Sequence, residues 1–194
     1  MRPIVALIIA AGAALTPAVA PAQNLLLNPG FDSNLADWDL FEAFGVTAAW
    51  NAADEHAAPG SGSLRGNLPA SGTFRIPIYA SQCVAVQGGT SYRFGGSVLL
   101  PAATSPDNAY ATVFANLYAE AACSGNSSAH LAAPNVTLRD TWVRTQDTLV
   151  AAATDRSLRI HLRVFAPTGT ELSSNFDNVF VEALADALFS DGFE

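Results

Sequence analysis

The chain has 194 residues, half of them hydrophobic and 13% charged, which is too apolar for a disordered polymer. Seventeen Asp and Glu outweigh nine basic residues, all of them Arg, and the net charge of −8 excludes the basic face that nucleic acid or an anionic membrane surface requires. The length suits one domain with a core of its own.

Arg2 precedes an apolar run from Ile4 to Leu15, broken by Pro17, and Ala20-Pro21-Ala22 places small residues before Gln23. A charged start, a short apolar stretch and an A-x-A exit describe a secretory signal over residues 1–22. The run falls short of the roughly 20 residues a membrane span needs. An exported protein, periplasmic or extracellular, is therefore expected, with no membrane span. Cys83 and Cys123 fit an oxidising compartment. Two cysteines allow one intrachain bond; two buried thiols or an intermolecular link are the alternatives.

From Asn24 onward the signals are short β runs near 24–28, 38–50, 62–68, 73–79, 81–87, 90–100, 109–120, 141–150, 156–165 and 175–182. Turn residues separate them: Asn28-Pro29-Gly30, Pro59-Gly60-Ser61-Gly62, Gln87-Gly88-Gly89, Ser105-Pro106-Asp107-Asn108, Ser124-Gly125-Asn126 and Pro167-Thr168-Gly169. Evenly spaced strands with such turns predict an all-β, antiparallel sandwich or jelly roll, and no stretch carries a helical period.

Two runs alternate clearly. Ala109, Ala111, Val113, Ala115, Leu117 and Ala119 form one face of the first; Tyr110, Thr112, Phe114, Asn116, Tyr118 and Glu120 form the other. In the second, Leu158, Ile160, Leu162 and Val164 lie opposite Arg159, His161, Arg163 and Phe165. A sheet face of Tyr, Phe, Asn, Arg and His suits a sugar: rings stack on pyranose C–H faces while the polar groups bond hydroxyls. Tyr110, Phe114 and Tyr118 are the candidate stacking residues, and Asn116, Arg159, His161 and Arg163 the candidate hydrogen-bonding ones. The same pattern also serves cross-strand packing, or a core with the alanine face outward. Trp50, at the end of the run Phe44–Trp50, is a further stacking candidate, or a Trp packed at the rim.

The opening Asn24-Leu25-Leu26-Leu27-Asn28-Pro29-Gly30-Phe31-Asp32, followed by Trp38, and the closing Phe176-Asp177-Asn178-Val179 bracket the chain. With His56–Leu64, Gln82–Val86 and Gly89–Tyr92 between them, this order resembles the carbohydrate-binding modules of families 4 and 9, of galactose-binding-like jelly-roll fold. The resemblance covers roughly residues 24–184 and implies a glycan or polysaccharide as partner, held without catalysis. It further implies a structural Ca²⁺ on Asp32 and Asp177, with carbonyls of the 59–63 loop completing an oxygen shell. Asp32 stands where Glu is more usual, and both acids also suit turn capping. Trp38 matches the modules' early core tryptophan. The same fold without sugar binding, as a structural or adhesive module, is the alternative.

Residues 185–194 form a separate tail whose Phe189-Ser190-Asp191-Gly192-Phe193-Glu194 resembles an ending found on many exported proteobacterial proteins. No H-E-x-x-H, G-x-S-x-G, phosphate-loop or dinucleotide motif is present, so no enzyme is expected. His161 sits between two arginines, which disfavours its protonation. A monomer is expected.

Overall fold

The computed structural model describes residues 23–70, 77–167 and 169–184. The expected signal segment and the C-terminal tail lie outside the described residues. Ten strands follow one another: β1 (Asp39–Leu40), β2 (Thr47–Asn51), β3 (Ser63–Leu68), β4 (Ile78–Ala85), β5 (Ser91–Leu99), β6 (Tyr110–Tyr118), β7 (Ser127–Ala132), β8 (Val143–Val150), β9 (Ser157–Phe165) and β10 (Leu172–Ala183). They build two five-stranded sheets, β1-β4-β9-β6-β7 and β2-β3-β10-β5-β8. The strand pairs are antiparallel, so the architecture is the all-β sandwich that the strand spacing predicts.

The core lies between the sheets, and the alternation decides which side faces it. Ala109, Ala111, Val113, Ala115 and Leu117 are buried inward with Leu158, Ile160, Leu162 and Val164. The second sheet answers with Leu64, Leu68, Phe94, Val98, Phe176 and Val181. Small alanines on β6 leave room for the Phe rings opposite, and such interlocking gives the dense packing that protein interiors need. The core alternative for the β6 aromatics is thereby overturned, because the alanine face is the buried one. Trp38 closes the core at one end, its ring 5.1 Å from that of Phe31 and its Nε1 donating to the Asn28 carbonyl.

Four expectations need correction. The run 24–28 makes only an isolated bridge, Asn24 to Glu182. The run 38–50 is two strands in different sheets, because Phe44 and Gly45 adopt φ of 56° and 79° and turn the chain between them. The runs 73–79 and 81–87 meet as one strand from Ile78, a bulge at Tyr79 taking the place of a turn; residues 71–76 lie outside the described residues. β7 was not foreseen, since Ser127–Ala132 lacks an apolar pattern.

The outward row of β10 explains a second departure from simple alternation. Ser173, Asn175 and Asp177 point away from the core yet are buried. Residues 51–55 and the short 3₁₀ turn Ala102–Thr104 with Ser105 fold over them. Asn175 Nδ2 donates to Asn51 Oδ1 and Ser63 Oγ, the Glu55 N–H to Asp177 Oδ2, and Ser105 Oγ to the Ser173 carbonyl. Loops therefore cover this part of the second sheet's outer surface.

Candidate functional site

The register of β6 on β9 composes the outward face of the first sheet. Tyr110 lies opposite Phe165, Thr112 opposite Arg163, Phe114 opposite His161 and Asn116 opposite Arg159. The rows continue to Ser81 and Cys83 on β4, and to Ala132 and His130 on β7. Seven of the eight candidate sugar residues are thus brought onto one face. Trp50 is the exception: it lies on β2 in the other sheet, 39% exposed, its Nε1 donating to the Phe31 carbonyl. Its ring sits over Gly62, where a Cβ would come within 2.6 Å of it, so Trp50 is packed at the rim.

The rings of the face pair with one another. Tyr110 and Phe165 stack at 5.0 Å and 14°. The Arg163 guanidinium lies over Phe114 at 4.0 Å, and His130 stacks beside the same ring at 5.8 Å. Cross-strand packing and an outward aromatic face therefore coexist, and Tyr110, Phe114 and Arg163 remain half-buried. Between them opens a hollow of about 310 Å³ lined by Tyr110, Thr112, Phe114, Ala132, Asn135 and Arg163. Asn135, Ala132 and His130 escaped the sequence reading because they follow or belong to the unforeseen β7. Phe165 and Thr112 stood in the same alternating patterns and were legible there.

One end of the face is closed. The Cys83–Cys123 disulfide is formed, as expected, and ties β4 to the turn Ala121–Cys123, which packs against β4, β6 and β9. Ser157 Oγ donates to the Glu120 carbonyl and accepts from the Cys123 N–H, fixing that turn. Tyr118, at this end, is only 9% exposed; it forms a wall of the face and not an open platform.

His161 lies in the middle, 8% exposed, its Nε2 taking a hydrogen bond from Asn116 Nδ2 at 3.1 Å. Its proton then sits on Nδ1, which has no acceptor among the described residues. Burial first, then Arg159 and Arg163, push its pKa down to about 4. The unfolded chain takes up this proton near 6.5, the native one only near 4. Acid therefore favours unfolding across that window. The stability from a neutral His161 is complete above about 6.5 and is lost as pH falls towards 4. Urea unfolding at pH 7 and pH 4 is expected to show a loss of about 2–3 kcal/mol for the wild type beyond that of His161→Gln.

A larger hollow, about 540 Å³, lies at the β1 edge among Leu25, Leu27, Asp37, Asp39 and residues 82–85. Its buried polar side chain is already committed: Gln82 Nε2 donates to the Leu27 and Asp37 carbonyls, and Oε1 accepts from the Leu27 N–H.

The two expected calcium ligands sit at one corner of the other sheet. Asp177 is fully buried and accepts from the Glu55 and Asn178 N–H groups. Burial pushes its pKa up to about 6; the two backbone N–H groups pull it down, and the Asp54 and Glu55 carboxylates raise it further. Asp32 is exposed, and its Oδ1 faces Gly30 beside Asn178 Oδ1. Among the described residues no three His, Cys, Asp or Glu side chains are arranged to hold a metal. Residues 54–55 lie beside Asp177 at this corner.

The sequence matches no family model and no curated protein. Solved structures resemble the fold. The CBM22-1 xylan-binding domain of Paenibacillus barcinonensis Xyn10C is 17% identical, with a TM-score of 0.55 over 88% of this chain and 100% of that one. A family 61 carbohydrate-binding module in complex with β-1,4-galactotriose is 16% identical, with a TM-score of 0.55 over 84% and 100%. The enzymatically active domain of bacteriophage CBA120 tailspike protein 4 is 12% identical, with a TM-score of 0.60 over 83% of this chain; this chain spans 21% of its length. At such identities the likeness is one of fold, the jelly roll of carbohydrate-binding modules.

Proposed function

We propose that the chain is an exported, non-catalytic carbohydrate-binding module that holds a glycan on the outward face of the β1-β4-β9-β6-β7 sheet. The observation that carries this reading is the hollow of about 310 Å³ in which Tyr110, Phe114 and Arg163 meet the polar Thr112 and Asn135. A shallow, partly apolar hollow with a few polar groups suits a small oligosaccharide. Asn116, Arg159 and His161 extend the polar contacts along β6 and β9. Tyr118 walls one end, and Trp50 belongs to the other sheet. Fold-mates described as xylan-binding or bound to galactotriose support the ligand class. The family 4 and 9 type rests on the motifs at the two ends of the chain; the fold-mates named above that carry a family number are of families 22 and 61.

A glycan-array screen of the protein tests this, with Tyr110→Ala beside it. Wild type is expected to bind a glycan, and the variant to bind it about tenfold more weakly, one ring contact being worth about 1 kcal/mol or more. A folded protein that binds no glycan sinks the proposal. It would leave the structural or adhesive module, which the mutual pairing of the rings favours.

Calcium at the Asp32–Asp177 corner is the accompanying proposal. The fit rests on Asp177, a buried carboxylate with two acids beside it and no ion-pair partner among the described residues. Asp177, Asp32 and Asn178 would hold the ion, with backbone oxygens, in the oxygen-rich shell calcium prefers. The ion would neutralise the corner and fix residues 51–55 on β10. At a hundredfold excess over its dissociation constant, calcium is expected to add about 2.7 kcal/mol. That is a rise of roughly 5–10 °C in Tm over chelator, absent in Asp177→Asn.

A further inference from the structure

Of the seven arginines among the described residues, three are tied into the fold, and Arg156 and Arg144, the latter over the Phe180 ring of the other sheet at 4.5 Å, have no acceptor. Arg93 pairs with Glu182, Arg65 donates to Ser173 Oγ, and Arg139 donates to the carbonyls of Ser105, Thr137, Pro106 and Ala109. These guanidiniums hold the fold together. Arg159 and Arg163 do not. Both are half-buried on the outward face of β9, and neither finds an acceptor or an ion-pair partner among the described residues. Their Nε atoms are buried without partners, so no carboxylate supports either one from below. Arg163 is held in place by the Phe114 ring instead, 4.0 Å away.

The polar groups around them add donors. Between the two arginines, His161 carries a buried N–H at Nδ1 that also lacks an acceptor among the described residues. On the outward positions of β4, β6, β7 and β9 there is no Asp or Glu. The nearest carboxylate in the rows is Asp39, on the edge strand β1 beyond Ser81. A neutral sugar brings hydroxyls that both donate and accept, and a site for it mixes carboxylates with donors. This face offers donors and two full positive charges, on a chain whose net charge is −8. A cationic island in an acidic protein, with unfilled donors in a row, suits a ligand that is an acceptor and an anion. The planar guanidinium fork matches a carboxylate in particular.

Resting on the reading of this face as a sugar site, we propose that the bound glycan is acidic, a uronic-acid polysaccharide whose carboxylates are taken by Arg159 and Arg163. Four residues apart on one strand, the two arginines have Cα atoms about 13 Å from each other. Two positive charges on one face take more than one acid group, so a chain of uronates is bound better than a single one.

The test compares polygalacturonate, its fully methyl-esterified form, neutral galactan and dextran sulfate, by calorimetry on the full chain. Polygalacturonate is expected to bind at least tenfold more tightly than the ester or galactan, and to weaken with added salt. Arg159→Gln is expected to lose about tenfold on polygalacturonate and markedly less on galactan, so that the preference for the acid shrinks. Arg163→Lys keeps the charge without the fork and is expected to lose part of the preference. Equal affinity for polygalacturonate and its ester overturns the acidic ligand and leaves the sugar face standing. Dextran sulfate binding as tightly as polygalacturonate overturns the assignment to a carboxylate. An Arg159→Gln variant that keeps the full preference overturns the role given to the arginines. Binding of none of the four overturns this inference, while the sugar face itself stands or falls with the glycan-array screen.

Discussion

Replacing Gly66 with alanine is expected to cost about 3 kcal/mol or more, among the largest effects of any single methyl group in this domain. Gly66 lies mid-strand in β3, between Ala48 of β2 and Ser174 of β10. A Cβ there would fall 1.9–2.2 Å from ring atoms of Tyr79. That ring cannot step aside. Tyr79 is fully buried, its hydroxyl donates to the Leu172 carbonyl, and its ring stands edge-on to Phe176 at 6.3 Å. Either the ring leaves its rotamer or the sheets separate locally, and interiors packed to crystal density tolerate neither. Tyr79→Ala alone opens a cavity and is expected to cost about 3–5 kcal/mol. The two changes act on the same space, so the double variant should lose clearly less than the sum. A double-mutant cycle in urea measures this directly. Strict additivity would show that Gly66 and Tyr79 do not share that volume.

The second large effect belongs to the disulfide. Removing it by Cys83→Ser with Cys123→Ser frees a loop of sequence separation 40. Chain entropy assigns that closure about 4 kcal/mol. A smaller term opposes it: Ala122 and Cys123 sit at φ of 58° and 53°, a strained pair that relaxes once the bond is gone. The Ser157 clasp on Glu120 and Cys123 holds the turn partly in place, so the strain is only partly released. The entropic term is the larger, and a net loss of about 2–4 kcal/mol is expected, a fall of roughly 5–15 °C in Tm. The loss reaches the candidate site as well. The turn Ala121–Cys123 closes the Tyr118 end of the face, and its release is expected to weaken any ligand there even where the protein is still folded. Unchanged melting after reduction would mean that the turn is held by its hydrogen bonds alone.

What was legible from the sequence follows from how local each determinant is. β6 and β9 announced themselves because strict alternation of small apolar with larger residues has one solution, a strand with one side inward. Their pairing with each other was not legible, yet it is what gathers Tyr110, Phe114, Asn116, Arg159, His161 and Arg163. β7 stayed invisible because an edge strand paired on one side needs no apolar row, and Ser127–Ala132 has none. The outward polar row of β10 is buried by loops from far away in sequence, which the strand itself does not announce. Trp50 and Tyr118 show the same limit. Exposure depends on what folds over a residue, and neither the rim contact with Gly62 nor the disulfide-tied turn is encoded in the strand carrying the ring.

The edge strands described above have one more consequence. The outermost strand of any sheet leaves a row of amides and carbonyls open to a second chain. Here those rows belong to β1, β7, β2 and β8. β1 has two residues, β7 is almost wholly exposed and rich in Ser, β2 has five residues, and β8 carries Arg144 and Asp147. None offers a long, flat, greasy ledge on which another copy could extend the sheet. With a net charge of −8 repelling neighbours, these short and polar rims give a second copy little to pair with.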